Sequence, residues 1–67
     1  MAMIKLQYMT ADGEWRDDSE WEVEAFVARY RGGMWTGEVN IVRDLRVGES
    51  YHGGGGTIPE WRVERIG

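Results

Sequence analysis

Polar and apolar positions alternate strictly at the start of the chain. Ile4, Leu6 and Tyr8 fall on one side of an extended backbone, Lys5 and Gln7 on the other, the period of two expected of a half-buried strand. Thr10-Ala11-Asp12-Gly13 follows, and Asp-Gly marks a tight turn because glycine takes positive φ without steric cost. Glu14-Trp15-Arg16 then reads as the short returning strand of a hairpin.

Residues 19–31 carry two periodicities. Glu20-Trp21-Glu22-Val23-Glu24-Ala25 alternates like a strand, but Ala25, Phe26, Val27 and Ala28 are consecutive and break the alternation. On a helix, Val23, Phe26, Val27 and Tyr30 share one face. Ser19 would cap it and Glu22 would complete a capping box. Acids in the first turn and arginines in the last suit the helix dipole, and Gly32 stands where a left-handed cap belongs. These signals predict a helix over 19–31, with the strand as competitor. Such a helix would point Trp21 away from the apolar face, into a flat strip with Ala25 and Ala28. A tryptophan so placed is a candidate interface anchor; its competing fate is to fold back on Trp15 or the sheet.

A second helix is predicted over 36–47, capped by Thr36 and ended by Gly48. Ile41, Val42 and Leu45 form its face with Val39 at the edge, while Asn40, Arg43 and Asp44 lie opposite. A strand over 38–42 competes, since Val and Ile favour pleated surfaces. Trp35 is expected to plug the core edge. Gly53 to Gly56 read as a mobile connector, because ordering glycine costs the most backbone entropy. Trp61-Arg62-Val63-Glu64 alternates again and closes the domain against the hairpin. The expected architecture is a single α+β domain over 1–67, ββααβ, with two helices on one face of a small antiparallel sheet. A mostly-β small barrel or sandwich is the alternative.

With 67 residues, the chain has little core to spare, and domains of this size usually add a staple. Cysteine is absent, which removes disulfides and thiolate zinc sites. His52 is the only histidine, and no EF-hand spacing of acids appears, so neither metal nor cofactor is expected. Four Trp, three Tyr and one Phe leave packing, or a homo-oligomer, as the source of stability. No apolar run reaches membrane-spanning length and the N-terminus lacks a signal-peptide pattern, so a cytoplasmic protein without membrane partners is expected.

The net charge is −4, and its distribution says more. Seven acids (Asp12, Glu14, Asp17, Asp18, Glu20, Glu22, Glu24) face one base, Arg16, within residues 12–24. Such a stripe repels phosphate backbones, which argues against direct duplex binding, and suits a basic partner. Arg43, Arg46, Arg62 and Arg65 are candidates for a small opposing basic area.

No catalytic residue is expected. Ser50, His52 and Asp44 are close in sequence, but a glycine-rich flank does not hold the preorganised geometry a triad requires. Paired carboxylates need a cleft that so short a chain rarely provides. The glycine run lacks the following helix and lysine of a phosphate loop. The expected function is non-enzymatic protein binding through Asp17, Asp18, Glu20, Trp21, Glu24, Ala25 and Ala28. No family motif is carried by these residues. In general type (short, cysteine-free, acidic, aromatic-rich and expected to be complete in itself) the chain resembles accessory proteins of bacteriophages and mobile elements. That resemblance implies an inhibitor that covers a surface on a host or defence complex. The alternative is a homo-oligomer that binds a small ligand or nucleotide with Tyr51, His52, Gly53 and Gly54. A third expectation is a purely structural subunit of a larger particle.

Overall fold

The first and last segments of the chain meet at the centre of one sheet. A computed structural model describes residues 2–31, 36–56 and 58–67. Its elements in chain order are β1 (Met3–Met9), β2 (Trp15–Glu22), α1 (Val23–Tyr30), α2 (Thr36–Arg43), β3 (Ser50–Gly55) and β4 (Ile58–Arg65). The four strands form one antiparallel sheet in the order β2-β1-β4-β3. The α+β class, the antiparallel sheet and the two helices are as the pattern of residues predicts.

Alternation along the strands builds two unlike faces. Ile4 and Leu6 of β1 and Trp61 and Val63 of β4 point to the helix side and are buried. Val23, Phe26 and Val27 of α1 close over them, with Val39 and Val42 of α2. Each such side chain stabilises the fold by about 1.5–3 kcal/mol relative to exposure. The second helix stops at Arg43, short of the expected 47; its buried pair is Val39 and Val42, Ile41 is 44% exposed, and Leu45 is half-buried just beyond its end. The expected face was therefore rotated slightly, because Val39 sits at its centre and not at its edge.

The long helix over 19–31 is corrected. Residues 19–22 belong to β2, whose register sets Leu6 opposite Ser19 and Ile4 opposite Trp21. Pairing with β1 satisfies backbone groups over the whole segment, and this tertiary gain overrides local helix signals. Ser19 caps nothing: its hydroxyl accepts from Trp21 Nε1 at 2.7 Å and donates to Asp18 Oδ2 at 3.0 Å. Glu22 stands at the N-cap without a side-chain cap bond. The helix starts where the Val23 amide donates to the Ala2 carbonyl at 2.9 Å. The expected cap at Gly32, the plug at Trp35 and the capping side chain of Thr36 lie outside the described residues.

The expected mobile connector is also corrected, because most of it forms the edge strand β3. The indole of Trp61 lies over Gly53, opposite it in the register. A Cβ on Gly53 would sit 2.2 Å from Trp61 Cζ2, and one on Gly54 (φ +81°) 2.4 Å from the Pro59 carbonyl oxygen. Glycine here makes room for an aromatic ring, a recognised reason for glycine inside strands. Gly53→Ala is expected to destabilise the fold by about 1–3 kcal/mol through overpacking. Urea denaturation followed by circular dichroism checks this, and Gly53→Ala combined with Trp61→Leu should lose less than the sum of the two single variants.

Candidate functional site

The face of the sheet opposite the helices carries polar and aromatic side chains. The register aligns Glu22, Glu20, Asp17 and Trp15 of β2 with Met3, Lys5, Gln7 and Met9 of β1. It continues into Glu64 and Arg62 of β4, then Ser50 and His52 of β3. A hydrogen-bonded ladder crosses the inner strands. Arg62 Nε and Nη2 both donate to Gln7 Oε1, at 2.9 and 2.7 Å, and Gln7 Nε2 donates to Asp17 Oδ1 at 2.7 Å. Lys5 Nζ lies 3.9 Å from Asp17 Oδ2.

Aromatic groups close over this ladder. The Arg62 guanidinium sits 4.4 Å from the Trp15 ring centre, a cation–π arrangement. The Trp15 ring meets His52 edge-on at 5.0 Å, although the two residues start on opposite edge strands. His52 Nε2 is 4.0 Å from Glu60 Oε1. Trp15, Arg62 and His52 thus bridge the sheet from edge to edge. Sequence reading placed Gln7 on the open side, but nothing in it joined Gln7 to Arg62, which is 55 positions away.

The acidic residues gather along the outer strand. Asp17 and Glu20 point to the open face. Asp18 is the extra residue at a bulge where the register shifts between Leu6 and Gln7. Glu22 ends the strand and Glu24 is exposed in the first turn of α1. Ala25 and Ala28 are exposed on α1. Trp21 does not share their strip, which corrects the geometric premise for an outward anchor: its ring packs edge-on against Phe26 and Tyr30, each at 6.0 Å. A strand residue on the helix-covered face necessarily looks inward.

Tyr51 and His52 are likewise separated. As strand neighbours they take opposite faces: Tyr51 packs 5.7 Å from Trp61 on the helix side, His52 on the open side. His52, Gly53, Gly54 and Glu60 line an open concavity of about 220 Å³. A second, about 520 Å³, lies between the β1–β2 turn at Met9, Thr10 and Ala11 and the β3–β4 turn at Gly55, Gly56 and Pro59. Glu60 borders both.

Ser50 shares the open face with His52, whereas Asp44 pairs with Arg43 at 3.8 Å beyond the end of α2. The four arginines do not form one patch. Arg62 is engaged on the open face, and Arg65 on the helix side donates to the Leu45 carbonyl at 2.8 Å. Among the described residues no group of three or more His, Cys, Asp or Glu side chains is placed to hold a metal ion. No described helix is long and apolar enough to cross a membrane. No protein-family model, curated protein or solved structure matches the chain.

Two groups have displaced proton affinities. Desolvation, with smaller effects from Asp18 and Tyr30, raises the Tyr8 phenol above its ordinary value of 10.0. The Thr10 hydroxyl, followed by a backbone hydrogen bond, lowers the Asp12 carboxyl below 3.8 in the β1–β2 turn. A phenol with a raised folded pKa stabilises the native state below its unfolded value and loses that contribution as pH rises through the folded one. Alkaline titration above pH 10.0 should therefore weaken the fold, and Tyr8→Phe should flatten that loss in chemical-denaturation series. Trp15→Ala removes the ring above Arg62 and beside His52, and should cost about 1–2 kcal/mol in thermal or urea unfolding.

Proposed function

We propose that the chain is a non-enzymatic protein-binding module that receives an extended, basic segment of its partner along the outer edge of β2. It would act as an inhibitor by covering that segment, in the manner of accessory proteins of phages or mobile elements. The observation that carries this proposal is the coincidence of a free strand edge with a concentrated charge. Among the described residues β2 has a strand neighbour on one side only, and within its eight residues stand Asp17, Asp18, Glu20 and Glu22. Among the described residues no ion pair engages Glu20 or Glu22.

Strand addition supplies backbone hydrogen bonds, and flanking side chains select the sequence that is added. The carboxylates serve two purposes in this scheme. They repel a second acidic edge and they attract Lys or Arg, which speeds encounter and favours a basic partner over others. Trp21 contributes from within, by holding the strand against α1, and not as a projecting anchor. Ligand capture by the glycine run draws less support, since Tyr51 and His52 diverge and the space above Gly53 is filled by Trp61.

Amide chemical shifts of the labelled chain, followed during titration with an alternating Lys-Val peptide of about eight residues, one long strand, test the proposal. The expected result is perturbation concentrated in residues 15–22, affinity that falls with added salt, and at least about tenfold weaker binding by Glu20→Lys/Glu22→Lys. Perturbation confined to other elements, or undiminished affinity in the charge-reversed variant, overturns it.

A further inference from the structure

We infer that Asp12-Gly13 is a site of spontaneous backbone modification, at which Asp12 rearranges to isoaspartate, and that Thr10 is the lock that holds this reaction in check. The chain has four aspartates, and Asp12 alone precedes a glycine; Asp17, Asp18 and Asp44 precede Asp18, Ser19 and Leu45. A side chain on the following residue crowds the attacking amide nitrogen, and glycine has none. Asp12 and Gly13 are both exposed in the β1–β2 turn, and a Cβ placed on Gly13 would meet nothing within 4 Å. Water and room for the rearrangement are therefore at hand.

The reaction needs no reagent but water. The Gly13 amide nitrogen attacks Asp12 Cγ and the new N–C bond closes a five-membered succinimide. The amide proton and the carboxyl hydroxyl leave together as water. A second water then opens the ring at either carbonyl. Cleavage of the new bond restores aspartate, whereas cleavage between the nitrogen and the former backbone carbonyl routes the chain through the side chain and gives isoaspartate. Nothing is oxidised or reduced, and the mass of the chain is unchanged. The product carries one more backbone carbon in the connection that sets Met9 opposite Trp15.

The turn opposes both halves of the attack. Its nucleophile is committed, because the Gly13 amide donates to the Thr10 carbonyl at 3.0 Å. Its electrophile is committed as well, because the Thr10 hydroxyl donates to Asp12 Oδ1. The same hydroxyl accepts from the Glu14 amide at 3.1 Å, and the Thr10 amide donates to the Glu14 carbonyl at 2.8 Å. Thr10 thus ties attacker, target and the returning strand together. Its bond to the carboxylate also favours the ionised form, which loses oxygen less readily than the neutral acid. Ring closure requires these bonds to be released, so its rate follows the population in which the turn is open. This inference does not depend on the basic-partner proposal, since Asp12 precedes β2.

Incubation of the full chain at constant temperature and pH, in buffer and in denaturing urea, tests it, with isoaspartate located by peptide mapping that separates the two isomers. The expected result is isoaspartate at position 12 ahead of every other aspartate, forming more slowly in the folded chain than in urea. Thr10→Val keeps the branched shape but removes the hydroxyl. It should speed the reaction in buffer at least about threefold, the population change expected from one modest hydrogen bond, and leave the rate in urea as it was. Thr10→Ser restores the hydroxyl and should return the rate in buffer towards the original, with circular dichroism checking that both variants are folded. No isoaspartate at position 12 in urea, equal rates in urea and buffer, or equal modification at Asp17, Asp18 or Asp44 overturns the inference. So does a Thr10→Ser variant that reacts as fast as Thr10→Val.

Discussion

Everything in this fold depends on the antiparallel pairing of β1 with β4. Ile4 faces Arg65 and Tyr8 faces Trp61 in that ladder, so contacts separated by nearly the full chain form the middle of the sheet. Neither the helices nor the edge strands can bury their apolar side chains until it exists, since Ile4, Leu6, Trp61 and Val63 supply the surface they cover. Contacts of such long range must meet the loop-closure entropy before they contribute, which slows folding relative to a helical protein of equal size.

The two faces divide the work. Dense apolar packing on the helix side supplies stability, with no buried polar or charged side chain among the described residues. The open side is held by directed contacts: the Asp17–Gln7–Arg62 ladder, with Trp15 and His52 laid across it. Those contacts are partly solvated and individually modest, but they fix the orientation of the sheet's outer surface. The edges differ in charge more than in regularity: β2 carries four carboxylates and a bulge, and the uncharged β3 has its own register shift between Gly53 and Gly55.

The sequence made the first hairpin and the closing strand legible, because alternation at period two is direct evidence of a half-buried sheet. The apolar faces of the two helices were legible for the same reason, apart from the rotation that exposes Ile41. The boundary between β2 and α1 was not. Ser19, Glu22 and the surrounding acids imitate a helix start, and what overrides them is β1, a partner that local reading cannot weigh. The glycine run misled in a similar way: Gly53 looks like slack in one dimension and turns out to be the space for Trp61, a residue eight places on. Of the candidate site, the acidity of residues 12–24 was plain, but the direction of Trp21 depended on the same boundary and failed with it. The Gln7–Arg62 bond had no local signature at all.

The ends of the chain are tied to each other. The Met3 amide donates to the Gly67 carbonyl at 3.1 Å, and the Ile66 amide donates to the Met3 carbonyl at 2.9 Å. Tension applied to the two termini would thus load the central ladder one rung at a time, since its hydrogen bonds run across the strands. A sheet pulled in this way peels open like a zipper and does not resist as a sheared block would. A domain built so is mechanically compliant along that axis, and a motor that pulls on its ends can unravel it from its middle outward.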